Sequence, residues 1–74
     1  MTKQAVEIIE TVKNLTAKNG EAPYVKMFGN DDLIIWRNEE ASENDNGANA
    51  EARYTLSAQT IEDLGSVDFV CDVD

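Results

Sequence analysis

Apolar side chains near the start of the chain recur at the spacing of an α-helix. They form one stripe in steps of three, four and three residues, comprising Ala5, Ile8, Val12 and Leu15. Such a stripe is typical of a helix that lays one face on a core. Thr2 is a suitable N-cap, and Gly20 readily adopts the left-handed conformation that ends helices. We therefore predict an amphipathic helix over residues 3–18.

Two apolar runs after Pro23 predict a β-hairpin. The first covers Tyr24–Phe28 and the second Leu33–Trp36, and the residues between them have the composition of a turn. Because successive side chains of a strand point to opposite faces, both faces of the second strand are apolar. One face can lie under the helix. The other, which carries Ile34 and Trp36, must be covered by another part of the chain or by a partner.

The segment 38–52 contains no large apolar side chain and is predicted to be a mobile acidic loop. A third strand over Arg53–Leu56 follows it. Next comes a short helix over Ala58–Leu64, for which Ser57 and Thr60 are both suitable N-caps.

The C-terminal residues alternate in character, which predicts a half-buried strand with an acidic outer face. The inward set is Val67, Phe69, Cys71 and Val73, and the outward set is Asp68, Val70, Asp72 and Asp74. Cys71 is therefore expected to be a small buried hydrophobe rather than a reactive thiol.

Together these elements predict a single α+β domain over residues 1–74. An N-terminal helix packs on a mostly antiparallel sheet of about four strands, and a second short helix precedes the last strand. The pattern does not determine the order of the strands.

Negative charge is concentrated in the second half of the chain. The formal net charge is −9, from 15 acidic and six basic residues. Residues 1–37 contain five of each sign, whereas residues 38–74 contain ten acidic residues and one basic residue, Arg53. A field of one sign repels nucleic acid and anionic membranes, so direct binding to either is not expected.

The chain lacks the residues that most enzymes and metal sites use. It has no histidine and one cysteine, so neither an activated nucleophile nor a zinc site is available. The run 44–47 resembles the middle of an EF-hand loop, but the place of the bidentate glutamate falls on Arg53. We therefore predict a non-enzymatic protein without a metal or cofactor.

The distribution of apolar residues and the lone cysteine predict residence in the cytoplasm. No apolar run is long enough to span a membrane, and Glu7 and Glu10 interrupt the one stretch that resembles a signal peptide. One cysteine cannot form an internal disulfide.

The leading hypothesis is an inhibitor or modulator that presents acidic side chains to a protein partner with a basic surface. One-signed fields steer association with cationic clefts, which are typical of nucleic-acid enzymes. Small phage proteins that block host enzymes by imitating nucleic acid are similar in size and charge. The predicted partner-binding residues are Glu39, Glu40, Glu43, Asp45, Glu62, Asp63, Asp68, Asp72, Asp74 and Trp36.

The alternative is an interaction module that forms a homodimer, or docks on a larger assembly, through an apolar sheet face. Ile34 and Trp36, with Tyr24 and Phe28 on the neighbouring strand, would form that face. The acidity would then serve solubility only. The same residues form ordinary core if the short helix or the loop covers them.

Overall fold

Two helices pack on one face of a four-stranded sheet, as the predicted α+β class requires. The computed structural model describes residues 1–44 and 48–74. The elements in chain order are α1 (Lys3–Asn19), β1 (Tyr24–Met27), β2 (Asp32–Trp36), α2 (Glu39–Glu43), β3 (Ala52–Thr55), α3 (Ala58–Ser66) and β4 (Asp72–Val73). The fold class is confirmed, including the N-terminal helix, the mostly antiparallel sheet and the short helix before the last strand.

The sheet has the strand order β3-β2-β1-β4. The pairs β1–β2 and β2–β3 are antiparallel, and β4 joins β1 in parallel. In the hairpin, Tyr24 lies opposite Trp36 and Val25 lies opposite Ile35. This register places Tyr24 and Trp36 on one face of the sheet, and Val25 and Ile35 on the other.

Helix α1 begins and ends with the caps that its sequence predicts. The Thr2 hydroxyl accepts a hydrogen bond of 3.1 Å from the backbone N–H of Ala5. At the other end Gly20 has φ of 73°, and its N–H donates to the Thr16 carbonyl at 2.9 Å. A side chain with a Cβ would be strained in this left-handed conformation, so glycine suits the position.

The main core lies between the sheet and the layer formed by α1 and α3. Its buried members come from both helices, from β1 and β2, and from the residue that follows β3. They are Ala5, Ile8, Val25, Leu33, Ile35, Leu56 and Leu64. Phe69 and Cys71 pack against this core and are partly buried, as the alternating pattern near the C terminus predicts.

The N-terminal ends of α1 and α3 are joined by a cluster of polar side chains, which we call the cap cluster (Thr2, Ser57, Thr60 and Asp63). Thr60 is fully buried. Its hydroxyl lies 2.8 Å from the Thr2 hydroxyl and accepts a 2.9 Å hydrogen bond from the hydroxyl of Ser57. The Thr2 backbone N–H donates to Asp63 at 2.7 Å. The cluster provides hydrogen-bond partners for buried polar atoms and fixes the position of one helix start relative to the other.

Two segments differ from their predicted form. The segment 38–52, predicted to be a mobile loop, contains α2, and the Asn38 side chain caps that helix by accepting from the Ala41 N–H at 2.9 Å. The strand predicted near the C terminus is paired only over Asp72–Val73. It is shorter because α3 continues to Ser66, and because Asp68 then takes a left-handed turn with φ of 53°. Val67 and Val73, predicted to face inward, are exposed.

Substituting Thr60→Val should lower the free energy of unfolding by about 1–2 kcal/mol, because it removes a buried hydroxyl that bridges two others without changing the side-chain shape. Chemical denaturation measures the change. The matched control is Thr16→Val, since Thr16 is exposed and its hydroxyl bonds only to the Val12 carbonyl of its own helix. Equal effects of the two substitutions would contradict a stabilising role for the cap cluster.

Candidate binding groove on the second sheet face

The sheet face turned away from α1 and α3 is apolar at β2 and is covered by α2. Ile34 and Trp36 lie on this face and are only 6% and 3% exposed. Helix α2 follows β2 after two residues and packs against it. Helix α2 therefore supplies cover that the doubly apolar strand requires. Trp36 belongs to a small second core and is not a freely exposed surface residue.

Between α2 and the sheet lies an open groove of about 510 Å³, the second-face groove. Its floor is formed by alternate residues of β1 and β2 and by Phe28, which follows β1. Its wall is one face of α2, where the lining residues are spaced three and four positions apart. The floor residues are Tyr24, Lys26, Phe28, Ile34 and Trp36, and the wall residues are Glu39, Ser42 and Glu43.

Aromatic rings line one end of the groove. The ring centroids of Tyr24 and Trp36 lie 5.9 Å apart, with 33° between the planes. This is a common spacing for a cross-strand aromatic pair. The Trp36 Nε1 atom is enclosed and has no hydrogen-bond partner. The indole therefore contributes apolar area to this face without a polar anchor.

A cation of the chain itself occupies the other end of the groove. The Lys26 ammonium lies 5.4 Å from the centroid of the Phe28 ring and 3.9 Å from a carboxylate oxygen of Asp74. Lys26–Asp74 is the one ion pair found among residues 1–44 and 48–74. Both side chains retain contact with water, so the pair contributes little to stability. It shows that an ammonium fits between a ring and a carboxylate on this face.

Carboxylates surround Tyr24 and raise the pKa of its phenol to about 12, from a usual value of 10.0. The largest cause is the hydrogen bond between its side chain and Asp72, followed by desolvation and by the negative charges of Asp72, Glu39 and Glu43. A phenolate here would lose the hydrogen bond to Asp72 and face several anions. The potential at this end of the groove is thus negative, which favours cations.

The structure brings some of the predicted partner-binding residues together. Trp36, Glu39 and Glu43 line the second-face groove. Asp72 of the edge strand β4 contacts Tyr24 of the groove, and Asp74, which follows β4, contacts Lys26.

The remaining predicted residues lie elsewhere. Glu40 is exposed on α2 but does not line the groove, and Asp45 lies outside the described residues. Glu62 and Asp63 belong to α3, in the layer across the sheet, and Asp68 follows that helix. Asp63 also accepts from Thr2 and Gln59, and the Thr2 hydrogen bond is the largest cause of the lowered pKa of Asp63.

Three charged residues of this face are absent from the predicted site. Lys26 lines the second-face groove, while Asp32 and Arg53 line an adjoining hollow of about 410 Å³ that shares Phe28 and Ile34 with it. The period of two along each strand indicates that Lys26 lies on the same face as Tyr24, and Asp32 on the same face as Ile34. The position of Arg53 depends on the pairing of β3 with β2, which sequence periodicity does not determine.

No group of metal-ligating side chains suited to holding an ion is found within 1–44 and 48–74. None of the helices in that part of the chain is both long enough and apolar enough to cross a membrane.

Comparison of the chain with models of protein families, with curated proteins and with solved structures gives no significant match.

Substituting Trp36→Ala should lower the free energy of unfolding by about 3–5 kcal/mol, because it removes a large side chain that is buried on this face of the sheet. Thermal or chemical denaturation measures the change. Val70→Ala serves as the control, since Val70 is 87% exposed and its truncation should have almost no effect. A stable Trp36→Ala protein would contradict the assignment of Trp36 to a core.

Substituting Asp72→Asn should lower the pKa of Tyr24 from about 12 toward 10, because it weakens the main hydrogen bond and removes a nearby anion. The native protein holds the Tyr24 proton more tightly than the unfolded chain does. This contribution to stability is complete below pH 10 and is lost as the pH rises toward 12. The loss should be smaller in the variant. Tyrosine titration by NMR and denaturation across this range test both effects, and Glu62→Gln, on α3, should change neither.

Proposed function

We propose that the protein is a non-enzymatic inhibitor or modulator that presents an acidic surface to a basic, nucleic-acid-binding site of a partner protein. The observation that supports this proposal is the gathering of Glu39, Glu43, Asp72 and Asp74 around one groove. Small phage proteins that imitate nucleic acid act by the same electrostatic principle. The site of action is the cytoplasm, where a lone thiol such as Cys71 stays reduced.

The carboxylates on α2 are free to meet a partner. Glu39 and Glu43 are exposed, and no basic side chain pairs with either of them within the described part of the chain. Their negative potential extends into water and attracts cationic surfaces before contact. Such surfaces already contain lysine and arginine side chains placed for phosphate groups.

Self-association through the apolar face has weaker support than charge-driven binding. Ile34 and Trp36, the residues that would carry it, are buried within the chain. Exposing them would require α2 to leave the sheet and would uncover a large apolar surface. The proposal therefore assigns the groove face, with α2 in place, to the partner.

The test is a pull-down from nuclease-treated lysates of the source cell and of its natural hosts, eluted with a salt gradient. We expect a nucleic-acid-binding protein that is released at moderate salt and that loses its nucleic acid when the acidic protein is added. Substituting Glu39→Gln and Glu43→Gln together should weaken the complex by about tenfold, equivalent to about 1.4 kcal/mol.

The matched control is Glu62→Gln with Asp68→Asn, which removes the same charge from α3 and from the turn that follows it. It should weaken the complex much less. A complex that resists high salt, or that both double variants weaken equally, would contradict the proposed use of the groove face.

A further inference from the structure

We infer that the second-face groove receives an arginine side chain of the partner protein, which stacks on the half-buried Tyr24 ring beside the Glu39 and Glu43 carboxylates. This inference rests on the proposed function and identifies the central contact of the interface with the partner. The groove combines the two features that recognise a guanidinium, a flat aromatic surface and carboxylates beside it.

The two ends of the groove have the same chemistry but a different occupancy. At one end Lys26 lies against the Phe28 ring and Asp74. At the other end the half-buried Tyr24 ring lies near the Glu39 and Glu43 carboxylates, and neither carboxylate forms an ion pair with a basic side chain of the described residues. The protein thus satisfies one ring-and-carboxylate site with its own ammonium and leaves the second site for a cation from outside.

The geometry of the second site favours arginine. Glu39 and Glu43 are four residues apart, so both lie on the side of α2 that forms the groove wall. A guanidinium can stack its plane on a ring while its edge donates hydrogen bonds to carboxylates. An ammonium has no plane to stack and is more strongly hydrated. The volume of about 510 Å³ is ample for one such side chain.

The raised pKa of Tyr24 agrees with this placement. The same carboxylates that disfavour a phenolate would stabilise a cation at that end of the groove. Tyr24 remains neutral at physiological pH, and its hydroxyl bonds to Asp72, so its ring offers a π face while Glu39 and Glu43 are left for a cation.

The test uses three blocked tripeptides, acetyl-Gly-X-Gly-amide with X as arginine, lysine or citrulline, titrated into the isotopically labelled protein. The chain has one tryptophan, so its indole N–H gives a single NMR signal that reports on the groove. The arginine peptide should shift this signal and those of α2. Citrulline, which has the same shape without the charge, should bind about five- to tenfold more weakly.

Variants distinguish arginine binding in the groove from general attraction by the net negative charge. Glu39→Gln with Glu43→Gln should weaken arginine binding about five- to tenfold, and Tyr24→Leu should do so without removing a charge. Glu40→Gln is the matched control, because Glu40 is on the same helix but does not line the groove. It should leave the affinity within about twofold.

Three results would overturn the inference. They are equal binding of arginine and citrulline, equal binding of arginine and lysine, and shifts that fall on α3 instead of the groove. If the tripeptide shifts nothing but the partner complex still forms and remains salt-sensitive, the arginine site is wrong and the proposed function stands. If the tripeptide binds as expected but no basic partner is displaced from nucleic acid, the site is real and the proposed function is wrong.

Discussion

The whole arrangement depends on the burial of β2 from both sides. Leu33 and Ile35 are covered by α1 and α3, while Ile34 and Trp36 are covered by α2. The two longer helices, α1 and α3, both lie on the first of these faces. The second face therefore receives a five-residue helix instead of a full layer. The groove is the space that this short cover leaves open.

The layer formed by α1 and α3 holds the sheet, and therefore the floor of the groove, in place. The cap cluster joins the starts of α1 and α3, and Gln4 adds a link between α1 and the Thr55 carbonyl at 2.8 Å. These contacts hold residues that are far apart in the chain. On the groove face the carboxylates of Glu39 and Glu43 are exposed to water. Stability is thus concentrated in one layer, while the charged groups that can meet a partner lie on the opposite face.

Sequence periodicity was sufficient where an element is long or its pattern strict. The stripe from Ala5 to Leu15 predicted α1 almost to its ends, and the run Leu33–Trp36 predicted both the strand and its need for cover on two faces. It did not predict α2, because five residues complete less than two turns and contain no large apolar side chain. One signal was available, since Asn38 with two glutamates after it is typical of a helix start.

The location of the negative charge required the topology as well as the sequence. Ten acidic residues follow Asn38, but α3 carries some of them to the layer across the sheet. Asp72 and Asp74 reach the groove only because β4 returns to pair with β1. Alternation near the C terminus indicated a strand but could not choose its neighbour.

Lys26 makes the concentration of carboxylates on one face tolerable in the free protein. Placed at the edge of the groove beside Asp74, it reduces the repulsion among the surrounding anions. Lys26 lies over the Phe28 ring, at the opposite end of the groove from the exposed part of the Tyr24 ring. The free protein thus partly balances its own charge without filling the end of the groove where negative potential, aromatic surface and two exposed carboxylates coincide. A guanidinium entering there would gain a stacking surface and charge-assisted hydrogen bonds without first displacing Lys26.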